Sequence, residues 1–291
     1  MPLRAAALPV LSIACLLGCS DRHAWELDGW RPDAPPVRVV LGSVLAAESL
    51  LSVLPAERLA GAHEFAADPG YSLVAGRARG VPLVGSTPEA LLSVRPDLVL
   101  VDAYTRAETL ALLAAAGVPV VRTVDPHGFA DIETNLQTLG RVTHLEGELQ
   151  EVADAMHAAL GEVARVAATL PEWRLLSLDG ALHTYGEGSL FDAIARAAGA
   201  TNVAAEHGVG AFRKLDIEEV LAWRPDALVL AGQPGQMVPE WVAQLPGLEL
   251  LPCVQQDRLL FVPGPLLSTT SHHLVDAAAF VQRRLQEWKA P

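Results

Sequence analysis

The 291 residues carry 34 acidic against 21 basic side chains, a formal charge of −13. That balance argues against a nucleic-acid partner, which needs a basic footprint. Hydrophobic residues make up 51% of the chain, far from a disordered composition and ample for two cores.

The first 18 residues carry a single charge, Arg4, followed by an apolar run from Ala5 to Leu17 that is too short to span a bilayer as an ordinary helix. The run ends in Leu16-Leu17-Gly18-Cys19, which resembles the lipobox of bacterial lipoproteins. By that resemblance residues 1–18 are a lipoprotein signal peptide, and Cys19 is diacylated and becomes the N-terminus. Cys253 would then be the only other thiol, which leaves no intramolecular disulfide. Residues 19–36, with Pro32, Pro35 and Pro36, read as a tether between lipid and domain.

Beyond the tether, strand and helix signals alternate. Val37 to Gly42 predicts a strand, Ala46 to Leu54 a helix, and Arg58 to His63 a second strand; Asp68 to Tyr71 marks a loop. The passage PEALLSVRPDLVLV (Pro88 to Val101) then reads as a short helix, a turn at Arg95-Pro96-Asp97, and a buried strand. A helix from Glu108 to Ala116 and a strand from Pro119 to Val124 complete an α/β lobe over residues 37–140, with a mostly parallel sheet covered on both faces. From Phe129 to Leu170 apolar residues recur at three- and four-residue steps, predicting long amphipathic helix in which a break would fall at Thr143-His144. Residues 141–171 are assigned to a connecting helix. A second α/β lobe, 172–291, opens with Arg174 to Gly180 and continues through a helix at Leu190 to Ala198, a strand from Thr201 to Glu206, a strand from Arg258 to Gly264, and a last helix from His272 to Trp288.

Inside that second lobe the earlier passage returns. IEEVLAWRPDALVL (Ile217 to Leu230) repeats PEALLSVRPDLVLV at an offset of 129 residues, placing Glu89 on Glu218 and Arg95-Pro96-Asp97 on Arg224-Pro225-Asp226. Thr87 and Asp216 precede the two helices as N-caps, and the glutamates stand second in each helix. A helix dipole favours glutamate in a first turn by about 0.3–1 kcal/mol. Two similar lobes presenting matching acidic knobs is the other explanation of the same repeat.

Two lobes, one long helix between them and a lipobox in front resemble the substrate-binding proteins of ABC importers for cobalamin, iron-siderophores and haem. The resemblance is carried by RPDLVLVD, TLGRVTHLEGELQEVADAMHAAL, GEGSLFDAIARAAGATNVAAEHG and KLDIEEVLAWRPDALVL, within about Val37 to Pro291. It implies two Rossmann-like lobes joined by one long α-helix, and a monomer held by lipid on the periplasmic side of the cell envelope. It also implies docking of Glu89 and Glu218 onto the two halves of an ABC permease dimer, and capture of a cobalamin or ferric-siderophore-class ligand between the lobes. Glu48 matches a glutamate of the family's first helix and is read as structural.

Ligands of open α/β sheets bind outside the carboxyl ends of the strands. The loops there contain Ser43, His63, Tyr71, Tyr104, Thr105 and His127 in the first lobe, and His183, Thr184, Tyr185, Arg213, Gln233 and Gly264-Pro265 in the second. Tyr71, Tyr104 and Tyr185, the three tyrosines of the chain, offer rigid aromatic surface for a flat macrocycle or catecholate. Arg213 suits an anionic group, and His183 an iron or cobalt centre. These five are the expected ligand-binding residues. The alternatives are haem, or bare zinc or manganese held through His63, His127, His183 and His207 or His272. No metal site or cofactor is expected. No nucleophile elbow, phosphate loop, His-Glu-x-x-His or Cys-x-x-Cys occurs, and Ser189 reads as an N-cap, so no catalytic residue is assigned.

Overall fold

The computed structural model describes residues 30–288; Cys19 and its leader lie outside the described residues. In the first lobe β1 (Val39–Leu41) leads into α1 (Val44–Leu50), whose N-cap Ser43 accepts from the Ala46 N–H. There follow β2 (Leu59–His63), β3 (Leu83–Val84), α2 (Pro88–Ser93), β4 (Leu98–Val101), α3 (Ala107–Ala115) and β5 (Val120–Arg122). All pairings are parallel, in the order β3-β2-β1-β4-β5.

The helical stretch between the lobes forms α4 (Phe129–Thr143) and α5 (Glu146–Ala167). His144, between them, takes left-handed backbone with φ 57°, which ends α4, and its ring nitrogen Nε2 bonds the Pro32 carbonyl at 2.8 Å. The 22-residue α5 is the long helix that carries the chain from one sheet to the other.

The second lobe comprises β6 (Trp173–Ser177), β7 (His183–Thr184), α6 (Leu190–Ala197), β8 (Ala200–Asn202), α7 (Val203–Glu206), β9 (Arg213–Lys214), α8 (Ile217–Trp223), β10 (Ala227–Ala231), α9 (Glu240–Gln244), α10 (Pro252–Gln255), β11 (Leu259–Val262), α11 (Gly264–Leu267) and α12 (Leu274–Trp288). Its main sheet, β11-β10-β6-β8, is parallel, and β7 pairs antiparallel with β9. The strand expected from Thr201 to Glu206 stops at Asn202, because the Asn202 side chain accepts from the Ala204 N–H and starts α7.

Side-chain alternation along the strands explains the packing. In β1 and β4, Val39, Leu41, Leu98 and Leu100 face a core that also holds α4, α5 and α12, while Val40, Val99 and Val101 face a smaller core with Leu91 and Leu113 of α2 and α3. In β10, Ala227 and Val229 join the first core and Leu228 and Leu230 a third, with Val220 and Trp223 of α8. The central core is therefore continuous from one lobe to the other. A buried carboxylate crosses the same seam: Glu48 of α1, 2% exposed, accepts from the Thr269 and Ser271 hydroxyls of the second lobe at 2.7 and 2.6 Å, and from the Leu73 N–H at 2.9 Å. Packing and this polar link join the two lobes.

Candidate functional site

β4, β5, β6, β10 and β11 all end at one cavity of about 490 Å³ between the lobes. Tyr104, which follows β4, and Asp125, Pro126 and His127, which follow β5, form its first-lobe wall. Asp179, Tyr185, Phe191, Phe212 and Leu267 are on the opposite side, with Gly264 at the end of β11. A smaller cavity of about 270 Å³ lies against the first lobe, lined by Ser43, His63, Phe65, Asp102 and Thr123. Tyr104, Asp125, Pro126 and Thr270 belong to both and stand between them.

The Tyr104 hydroxyl donates to Asp125 Oδ2 at 2.6 Å, although the ring is 76% exposed. That bond, then burial and the charges of Asp125 and Asp102, push the phenol up to about 12, so Tyr104 is a neutral donor. Asp102 fixes the same loop, accepting from the Tyr104 N–H and the Thr105 hydroxyl at 3.0 and 3.1 Å. Burial pushes the His63 imidazole below its ordinary value, against the opposing charges of Glu64 and Asp102. His63 bonds Ser86 through Nε2 and accepts from the Phe65 N–H through Nδ1.

Across the cleft, Asp179 accepts from the backbone N–H groups of Ala181 and His183 and pairs with the His183 ring at 2.9 Å. Burial by itself would raise this carboxyl, but the hydrogen bonds from His183 and Ala181 hold it below the ordinary range. His183 stacks on Phe212 with ring centres 5.0 Å apart, and Tyr185 meets the same ring at 5.4 Å. Gly186 has no substitute here, since a side-chain carbon would overlap the Val209 carbonyl oxygen. The loop that carries Tyr185 is thereby pressed against the segment that carries Phe212. His127 Nδ1 donates to the Gly188 carbonyl at 2.8 Å, a contact from first lobe to second at the edge of the cavity.

Of the sequence-expected ligand residues, Tyr104 and Tyr185 line the main cavity. His183 stands behind Phe212, and Tyr71 stacks on Phe65, a residue of the smaller cavity, at 4.6 Å and 14°. Arg213 is placed elsewhere. On β9 its guanidinium donates to Glu219 at 2.8 Å and lies 5.7 Å over the Trp223 ring, and it lines neither cavity. Sequence reading missed Phe212, adjacent to Arg213, and the strand-end aspartates Asp125 and Asp179. Position after a strand was the available signal for both aspartates. Among the described residues no group of three or more His, Cys, Asp or Glu is arranged to hold a metal ion.

Glu89 and Glu218 are exposed in the first turns of α2 and α8, and their carboxylates make no hydrogen bond or ion pair to another described residue. Glu219, the neighbour, is committed: it accepts from the Asp216 N–H at 3.0 Å in a capping box and from Arg213, and both bonds lower its carboxyl.

The sequence profile of the family described as "Periplasmic binding protein" matches residues 58–266. Among solved structures, the periplasmic haem-binding protein RhuT of Roseiflexus sp. RS-1 superimposes with a TM-score of 0.74 at 22% identity, over 87% of this chain and 99% of that one. The vitamin B12 binding protein BtuF of Vibrio cholerae gives 0.68 at 20% identity, over 87% and 98%. An ABC-type Fe3+-hydroxamate transport protein of Saccharomonospora viridis gives 0.67 at 22%, over 87% and 94%. At these identities the likeness is one of fold. No curated protein sequence matches the chain.

Proposed function

The chain belongs to the periplasmic binding protein family, and from that premise we propose that it is a transport-related binding protein of an ABC importer that captures a metal chelate of the cobalamin or ferric-siderophore class and delivers it to a permease. The observation that carries this reading is the inter-lobe cavity of about 490 Å³, whose rim sets Tyr104 of one lobe against Tyr185 and Phe212 of the other. Rigid aromatic faces on both sides suit a flat or compact chelate. Vitamin B12, Fe3+-hydroxamate, haem and molybdate are among the ligands named for structures of this fold. Haem is the alternative ligand; the described residues offer no support for a bare zinc or manganese ion.

Delivery runs through Glu89 and Glu218, whose free, exposed carboxylates in two copies of one motif match a permease dimer with one basic pocket per subunit. Cys19 supplies the lipid anchor on the periplasmic side, and the protein acts as a monomer. Native mass spectrometry of the exported chain, incubated in turn with cobalamin, ferric siderophores and haem, tests the ligand class. One-to-one retention of a corrinoid or a ferric siderophore is expected. Retention of haem alone would move the assignment to the alternative, and retention of none would overturn it.

A further inference from the structure

Resting on that reading, we infer that the cleft selects neutral or cationic chelates over anionic ones, with Asp125 as the residue that determines the preference. Asp125 and Asp179 line the main cavity and Asp102 the smaller one, while among the described residues no lysine or arginine lines either. Arg213, the cation expected here from the sequence, is held outside by Glu219 and Trp223. An anionic ligand would leave water for a site that holds carboxylates and no fixed counter-charge, and like charges brought together under partial burial oppose binding.

The three aspartates differ in what they have left to give. Asp179 is occupied on both oxygens by two backbone N–H groups and the His183 ring, and Asp102, in the smaller cavity alone, holds the Tyr104 N–H and the Thr105 hydroxyl on Oδ1. Asp125 receives one hydrogen bond among the described residues, from the Tyr104 hydroxyl, out of roughly four lone-pair positions on a carboxylate. It is half-buried and lies where the two cavities meet. A ligand ammonium, amide N–H or hydroxyl entering from either side reaches an acceptor that is already charged. An approaching carboxylate or phenolate meets repulsion there, and the Tyr104 hydroxyl proton beside it is already given to Asp125.

A pair of probes alike in chelate and opposite in charge tests this: a linear ferric trihydroxamate ending in a free amine, and the same chelate with the amine succinylated, titrated by tryptophan fluorescence. Cobinamide and haem serve as a cationic and an anionic macrocycle. Wild-type protein is expected to bind the cationic member of at least one pair about tenfold tighter or more than its anionic counterpart. That preference should shrink as salt is raised. Asp125→Asn should narrow it to about threefold or less by weakening the cationic ligand. If this variant fails to fold, the salt dependence of the wild-type preference decides alone. Equal or tighter binding of the anionic forms, or a preference indifferent to both salt and Asp125→Asn, would overturn charge selection and leave the importer reading intact. Failure of all four chelates to bind would remove the importer reading and this inference with it.

Discussion

At the amino ends of the strands the two lobes are built alike. Arg38, ahead of β1, donates its guanidinium to the carbonyls of Val94 and Arg95 at the end of α2, and exchanges backbone and side-chain hydrogen bonds with Asp97. Arg174, in β6, does the same for Trp223 and Arg224 at the end of α8, and for Asp226. Each guanidinium satisfies carbonyls that a helix end leaves unpaired. At the carboxyl ends the likeness stops. The first lobe passes from β1 to α1 in two residues, Gly42 and Ser43, whereas the second inserts Leu178 to Ser189 between β6 and α6, including β7. Tyr185 comes from that insertion, and Phe212 borders β9, the strand that pairs with β7. Shared architecture lies away from the cleft, while Tyr185 and Phe212 of the cavity wall come from parts that the first lobe lacks.

The largest test asks whether the likeness extends to the two glutamates. Glu89→Arg with Glu218→Arg is expected to abolish uptake while ligand affinity and folding stay near wild type, because each reversal sets like charges together at the proposed permease contact. Each single reversal should give partial loss of similar size. Full uptake by the double variant, at normal expression, would reduce both residues to helix-dipole partners. Loss in only one single variant would break the equivalence of the lobes at docking.

The repeat that made this legible was visible because helix, turn and strand occupy contiguous residues, so the α/β class, the lobe order and the break at His144 followed from local pattern. The partner of each Arg-Pro-Asp turn did not. Arg38 and Arg174 lie 57 and 50 residues from the carbonyls they bind, and no spacing rule reaches that far. The cleft was legible in outline, since Tyr104 and Tyr185 follow strand ends. Arg213 was misleading because a neighbouring glutamate, Glu219, could cap a helix and hold the arginine at once. Phe212, just ahead of β9, lines the cavity, and Arg213, the next residue along, does not.

A second test contrasts the buried acids of the two first helices. Glu48 of α1 takes its partners from the Leu73 loop and from Thr269 and Ser271 in the other lobe. Asp192 of α6 takes Arg196 and Asn202 from its own. Glu48→Ala should lower stability by about 2–4 kcal/mol, since it strands two buried hydroxyls and the Leu73 N–H. Asp192→Ala should lower it by about 1 kcal/mol, its main partner being an exposed arginine. Denaturant titration gives both values, and hydrogen exchange should rise in residues 268–271 for the first variant alone. Equal losses, or exchange unchanged there, would deny the cross-lobe link.

The third test is confined to the second lobe. Phe212→Ala should weaken chelate binding by about 1–3 kcal/mol as a lost aromatic contact. Arg213→Ala should leave affinity nearly constant, since it removes an exposed pair with Glu219 and a contact with Trp223 on the far side. The reverse order of effects, measured by calorimetry, would restore Arg213 to the cleft and remove the basis for charge selection.

The smallest effect returns to the repeated turns. Arg95 and Arg224 close α2 and α8 with φ of 50° and 48°, a left-handed conformation that places a side-chain carbon against the following carbonyl. Both bond their arginine partners through main-chain carbonyls, so replacing either with glycine keeps those hydrogen bonds and relieves the strain. Against that gain stands the larger entropy glycine loses on folding. The balance for each of Arg95→Gly and Arg224→Gly is a rise of up to about 1 kcal/mol, read from the urea midpoint with an unchanged slope. The two gains should agree, because the turns share conformation, carbonyl partners and following Pro-Asp. A gain at one turn and a loss at the other would mean that one arginine side chain stabilises its own lobe, and that the likeness of the two scaffolds ends at the backbone.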